Sequence, residues 1–247
     1  MLDKHVYPYF KDLGITVHQV KPNDIQRYYA IKIDGGLSPN TLIKHHDIIR
    51  TALQSAVKQG IVKENVADLV DKPKKQRYVS EYYNRDEINQ LYSVVKGTPI
   101  EVPVLLTTYF GLRRSETLGL RWNCVDFINK TISIKHKVVR AKINGKLKFL
   151  QTDDLKTQSS YRTLPLETQI IDYLISLREK QEEIQRSLGD GYVQEYKDYI
   201  CVNEIGDLLK PDYVSDKFGK IIDKAGMKHI RFHDLRHSCA TLLLALG

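Results

Sequence analysis

Residues 103–120, PVLLTTYFGLRRSETLGL, decide how this chain folds. The first half reads as a helix, Gly111 makes a turn, and a second helix begins near Ser115. Arg113 and Arg114 therefore stand at a turn just ahead of a helix start. A guanidinium there can offer its fork to a phosphate, beside helical N–H groups that also favour anions. Glu116, three residues on, can anchor Arg113 and hold its rotamer. The same residues also fit a plainer description: an exposed arginine pair with a glutamate that suits the helix dipole.

Upstream, the pattern is helical. Residues 36–60, GLSPNTLIKHHDIIRTALQSAVKQG, open with Ser38 as N-cap and Pro39 at the first helical position. Leu42, Ile49, Leu53, Ala56 and Val57 recur at helical spacing, and Gly60 ends the segment. Residues 21–33 make a shorter helix with Pro22 near its start. The stretch from Lys72 to Tyr82 carries Pro73, Lys74, Lys75 and Arg77 without apolar periodicity, the signature of an exposed basic linker. The expected organisation is a helical domain over 1–71, a linker over 72–82, and a second domain over 83–247.

Downstream, residues 84–97 form a helix capped by Asn84 or Asp86. From residue 127 the period changes to two, though only roughly: Thr131, Ser133 and Lys135 alternate with Ile132, Ile134 and Val138. Residues 146–152 and 159–166 are further short strands, and Asn144-Gly145 is a hairpin turn joining the first pair. A single antiparallel sheet of about three strands is expected. Residues 167–188 and 210–226 are helical, 199–203 (YICVN) a short strand, and 232–247 a last helix. The fold class is mainly α with a small antiparallel β-sheet, α+β.

Lys156 lies in a polar segment just before a strand. Its position suits a solvated turn, or a lysine that swings into a groove and donates a proton. The pentapeptide HDLRH, His233 to His237, supports two chemistries. His233 and His237 with Asp234 resemble a metalloprotease helix, but aspartate stands where that motif wants glutamate, and no third ligand follows. His233 with Arg236 instead makes an imidazole–guanidinium pair suited to phosphate.

Lys and Arg number 38 against 30 Asp and Glu, a net charge of +8, which favours a polyanionic partner such as nucleic acid. Three dispersed cysteines without a CxxC pair argue for a reducing compartment. No apolar run is long enough for a bilayer, and the N-terminus lacks a signal-peptide core, so a cytoplasmic location without membrane partners is expected.

Taken in order, TTYFGLRRSETLGLRWNCVDF, LKTQSSYRTLPL and FHDLRHSCATLLLALG resemble the tyrosine recombinases, or phage integrases. The resemblance covers essentially the whole chain. It implies a helical, SAM-like core-binding domain followed by a partial tyrosine-recombinase catalytic domain. It implies that Arg113 and Arg236 clamp the scissile phosphate, Lys156 is the general acid for the 5′-hydroxyl, His233 assists by hydrogen bonding or proton transfer, and Glu116 supports Arg113 from behind. No metal and no cofactor are implied. The partner would be double-stranded DNA, with the full-length protein a tetramer on DNA and this fragment a monomer. DNA-contact candidates are Thr41, Lys44 and His45 on the long helix, and Lys74, Lys75 and Lys148 on the linker and sheet.

Two departures stand out. Val66 replaces the family's usual proline after the long helix. The family also places a further histidine or tryptophan and then a nucleophilic tyrosine beyond the H-x-L-R-H phrase, yet none of the fifteen tyrosines here lies after Arg236. Tyr161, close to Lys156, reads as sheet packing. The expectation is a recombinase without its nucleophile, able to hold DNA but not to form a 3′-phosphotyrosyl link. The alternative is a non-catalytic DNA-binding module or competitor at recombination sites.

Overall fold

A computed structural model describes residues 1–77, 81–143, 146–152 and 161–239. The chain divides into two compact units, Met1–Val79 and Ser80–Gly247.

The first unit is helical: α1 (Tyr7–Asp12), α2 (Pro22–Asp34) and α3 (Pro39–Lys58). Ser38 caps α3 by accepting from the Thr41 N–H at 3.3 Å, and Pro39 needs no hydrogen bond at the first position. Ile25, Tyr28 and Tyr29 of α2 pack on Leu42, Ile49 and Leu53 of α3. The basic stretch is not wholly free of this unit. The Asn40 side chain donates to the Gln76 carbonyl at 2.9 Å and accepts from its N–H at 3.0 Å.

One DNA-contact candidate needs correction here. His45 is fully buried. It stands three residues after Leu42 and four before Ile49, so it lies on the apolar stripe of α3, not on its wet face. His45 Nδ1 meets the Tyr28 hydroxyl at 2.8 Å, and His46 Nδ1 meets the Tyr29 hydroxyl at 2.7 Å. Among the described residues, nothing bonds either Nε2, although both are buried. Burial first, then nearby cations, therefore lowers the pKa of both imidazoles below the ordinary value. The unfolded chain then binds more protons than the folded one, so stability rises with pH through this range. The contribution is complete above the unfolded value near 6.5 and is lost as pH falls through the folded values. Hydrogen-exchange protection of α2 and α3, corrected for intrinsic rates, is expected to fall between about pH 7 and pH 5. A flat profile would contradict the buried pairs.

In the second unit, α4 (Arg85–Val95) begins with Asn84, which accepts from Glu87 N–H at 3.0 Å while Glu87 accepts from Asn84 N–H at 2.7 Å. α5 (Glu101–Phe110) ends at Gly111, whose φ of 61° is left-handed, and α6 (Arg114–Leu118) follows. Among the described residues five strands come next: β1 (Val125–Asp126), β2 (Thr131–Ile134), β3 (Lys137–Ile143), β4 (Lys146–Thr152) and β5 (Arg162–Pro165). The unit closes with α7 (Thr168–Leu188), α8 (Pro211–Lys224), a turn over Phe232–Asp234 and a helix over residues 235–239.

The strands make two sheets, not one. β1, β2 and β5 form an antiparallel sheet in which Ile132 faces Leu164, while β3 and β4 form a separate hairpin. The break falls at Lys135 and His136, where the chain leaves β2 and His136 turns inward. That break is why the alternation read from the sequence was only rough. The hairpin register runs to Ile143 opposite Lys146, with Asn144 and Gly145 outside the described residues. YICVN is likewise not a strand. It makes only single bridges, Arg121 to Tyr199 and Val202 to Leu208, while Tyr199, Ile200 and Cys201 enter the core.

The core joins Leu91, Val104, Leu112, Leu118, Ile132, Phe218 and Leu235, so the helices and the three-stranded sheet share one interior. The fold is mainly α with small antiparallel sheets. No helix among the described residues is long and apolar enough to cross a membrane.

Candidate functional site

The site begins at Gly111. A Cβ added there would meet Cys239 Sγ at 3.3 Å and Arg236 Cγ at 3.9 Å. The closing helix thus lies directly on the α5–α6 turn, and glycine is needed both for its positive φ and for that approach. This contact brings Arg236 to a turn that is 125 positions earlier in the chain.

Arg113 is the residue before α6, with extended backbone, and Glu116 closes back on it. Arg113 N–H donates to Glu116 Oε2 at 3.1 Å, and Arg113 Nη1 donates to Oε1 at 2.6 Å. The carboxylate side chain is only 3% exposed, whereas the Arg113 side chain is 50% exposed. A second guanidinium reaches the same carboxylate: Arg162 Nη2, from the start of β5, donates to Oε2 at 2.9 Å. Burial on its own would raise the Glu116 pKa, but the bonds from Arg162 and Arg113 outweigh it and hold the carboxyl below its usual range.

Arg236 feels the same cluster. Its pKa is lowered by burial first, then by Arg113, with Glu116 opposing and Arg162 adding to the effect. Two guanidiniums thus pair with one buried carboxylate, and a third, from Arg236, lies within electrostatic reach of all three groups. Clustered guanidiniums in a half-buried place favour an anion. Arg114 is not part of it, since it bonds Ser215 on α8.

His233 is exposed on the turn before the closing helix, its ring 6.2 Å from that of His237 and edge-on to it. The part of its ring that is covered by neighbours lowers its pKa, with Asp234 opposing and His237, Arg231 and Arg236 contributing. A neutral imidazole can donate from one nitrogen and accept at the other. Asp234 is fully buried and accepts from the backbone N–H, Nε and Nη2 of Arg231 at 3.0, 2.9 and 2.7 Å. It therefore closes a capping box with Arg231 on the Phe232–Asp234 turn. Among the described residues, no group of three or more His, Cys, Asp or Glu could hold a metal ion.

Lys156 lies outside the described residues. Tyr161, expected as sheet packing, sits just before β5 and is 47% exposed. Lys148 is exposed on β4. In the first unit, Lys44, Lys74 and Lys75 are exposed, and Thr41 is partly covered with its hydroxyl 2.9 Å from that of Ser38. Arg162 escaped the sequence reading. The signal was its place in SSYRTLPL, but its partner is 46 positions away and nothing local points to it.

Residues 81–247 match the family model described as the phage integrase family. A tyrosine recombinase XerC-like protein of Caldanaerobacter subterraneus subsp. tengcongensis is 26% identical over 245 residues, covering 95% of this chain and 63% of the relative. The ICEBs1 integrase of Bacillus subtilis is 26% identical over 254 residues, covering 100% of this chain and 65% of the relative. The chain thus spans just under two thirds of the length of these curated relatives. A solved structure of the Tn1549 transposon integrase with transposon right end DNA shares the fold at a TM-score of 0.75 and 19% identity, covering 94% of this chain and 75% of that one.

Proposed function

The chain belongs to the phage integrase family, the tyrosine recombinases, and from that premise we propose that it comes from a site-specific recombinase of a mobile element or phage that breaks and rejoins double-stranded DNA. Arg113 and Arg236 hold the two non-bridging oxygens of one phosphodiester. They oppose the charge that grows on those oxygens as phosphorus becomes five-coordinate. A tyrosine hydroxyl attacks the phosphorus, forming a 3′-phosphotyrosyl bond as its proton passes to a neighbouring base or water, and the 5′-oxygen leaves. Lys156 gives that oxygen its proton, and His233 donates a hydrogen bond or moves a proton nearby. Glu116 holds Arg113 in place. The single observation that carries this reading is the gathering of Arg113, Arg162 and Arg236 around the buried Glu116, with Arg113 half exposed.

The exposed Lys44, Lys74, Lys75 and Lys148, with Thr41, are the proposed backbone contacts. No tyrosine follows Arg236 in these 247 residues, so by itself this stretch is proposed to grip a phosphate without bonding to it. The 247-residue chain is proposed to be a monomer in solution, and the full-length protein a tetramer on DNA.

Duplex binding followed across a salt series tests the phosphate site. Affinity should fall steeply with salt as counter-ions are released, and Arg236→Ala should reduce the logarithmic slope by about 1. Unchanged affinity and slope in Arg236→Ala would remove the site from the reading. A nicked duplex that traps covalent intermediates should yield no adduct on a denaturing gel; an adduct would refute the binding-only behaviour of this stretch.

A further inference from the structure

We infer that Arg162 is a positioning residue of the phosphate site: it holds Glu116 in place as a shared counter-ion and thereby keeps the Arg113 fork turned toward the phosphate. This rests on the phosphate reading of the cluster and goes beyond it by giving a role to a third arginine.

The two oxygens of Glu116 are divided between partners. Oε1 takes the Arg113 guanidinium at 2.6 Å, while Oε2 takes Arg162 at 2.9 Å and the Arg113 N–H at 3.1 Å. Among the described residues, removing Arg162 leaves Oε2 with the Arg113 N–H alone and loosens the hold on the carboxylate. Arg162 itself is poorly placed to grip DNA, because its side chain is 25% exposed against 50% for Arg113. Its backbone is fixed too, since it pairs with Ile134 across the β2–β5 ladder. It therefore anchors the strand that follows the Lys156 segment to the turn that carries Arg113.

The charge balance is close. Burial pushes Glu116 toward its neutral form, and the guanidiniums of Arg162 and Arg113 reverse that push. Arg236 faces the cluster from the closing helix. Arg114 of α6 donates to the Ser215 hydroxyl and Arg140 of β3 pairs with Asp212, both on α8. Without Arg162, burial meets one guanidinium fewer. Glu116 then takes up a proton at mild acidity, and Arg113 loses its charged anchor. Binding of phosphate acquires a pH dependence beyond that of the parent chain.

The test uses the whole 247-residue chain and a fluorescein-labelled duplex, with dissociation constants from anisotropy at constant ionic strength between pH 8 and pH 5. Each variant is expressed as a ratio to the parent at the same pH, which cancels histidine protonation common to both. For Arg162→Gln the ratio should be within about twofold at pH 8 and rise to about fivefold or more by pH 5. Arg162→Lys retains the charge and should give a flat ratio. The ¹³C shift of the Glu116 carboxyl should titrate below the usual carboxylate range in the parent chain and at higher pH in Arg162→Gln. A flat Arg162→Gln ratio, or a Glu116 carboxyl that titrates alike in both chains, would overturn the inference and leave Arg162 a structural brace. Should Arg162→Gln fail to fold, a parent Glu116 carboxyl that titrates at or above the ordinary value overturns it as well. The phosphate reading fails separately, if Arg113→Ala binds the duplex as the parent chain does.

Discussion

Glu116→Ala is expected to lower the stability of the second unit by about 3 kcal/mol, the low end for removing one partner of a buried ion pair. The carboxylate is 3% exposed, and the Arg162 side chain it leaves behind is 25% exposed, so that guanidinium remains largely covered after losing this ion pair. Arg113 loses its acceptor and α6 loses the carboxylate that caps its first turn, while Arg113, Arg162 and Arg236 now repel one another. For a unit of this size the loss corresponds to a fall of roughly 6–12 °C in Tm. Glu116→Gln keeps the shape but not the charge and should account for more than half of the change. A shift of under about 1 kcal/mol in both variants, read by chemical denaturation, would mean that the cluster is fully solvated.

Gly119→Ala should be comparably severe for a different reason. Gly119 has φ −89° and ψ −2°, which alanine adopts without strain. The difficulty is space: an added Cβ would lie 2.6 Å from Lys137 Cα and 2.7 Å from the His136 carbonyl oxygen. Both are backbone atoms, so β3 must move. Behind it, His136 and Tyr199 share a hydrogen bond of 2.8 Å, Arg121 Nη2 reaches both, and Tyr199 donates to Gln151 of β4 at 3.0 Å. Displacing the hairpin breaks that buried network as well as the packing, so a loss of about 3 kcal/mol or more is expected. Gly219→Ala is the control. It sits inside α8 with nothing within 4 Å of the added carbon, and should stabilise by about 0.5–1 kcal/mol. Equal unfolding midpoints for the two variants would refute the close approach at Gly119.

What the sequence made legible was local. Ser38 with Pro39, Asn84 with Glu87, and Gly111 each declare a helix end through residues within three positions of one another, and these ends stand where the spacing put them. What stayed hidden depends on partners far along the chain. His45 looks like a polar residue on a basic helix until Tyr28, 17 positions earlier, is seen to receive it in the core. Arg162 is one cation among 38 until Glu116 is seen to need it. The split into two sheets hung on two residues, Lys135 and His136, because a period-two pattern reports which face is buried and not which strand lies alongside.

The arginine cluster draws its members from three well-separated stretches, and this orders events during biosynthesis. Arg113, Glu116 and Arg162 emerge early enough to pair while translation continues. Arg236 emerges about seventy residues after Arg162, which at ordinary elongation rates is a delay of about 4–15 s. A nascent polypeptide therefore carries its carboxylate already neutralised, and gains its full affinity for anions only once the stretch with Arg236 has left the ribosome and settled against Gly111.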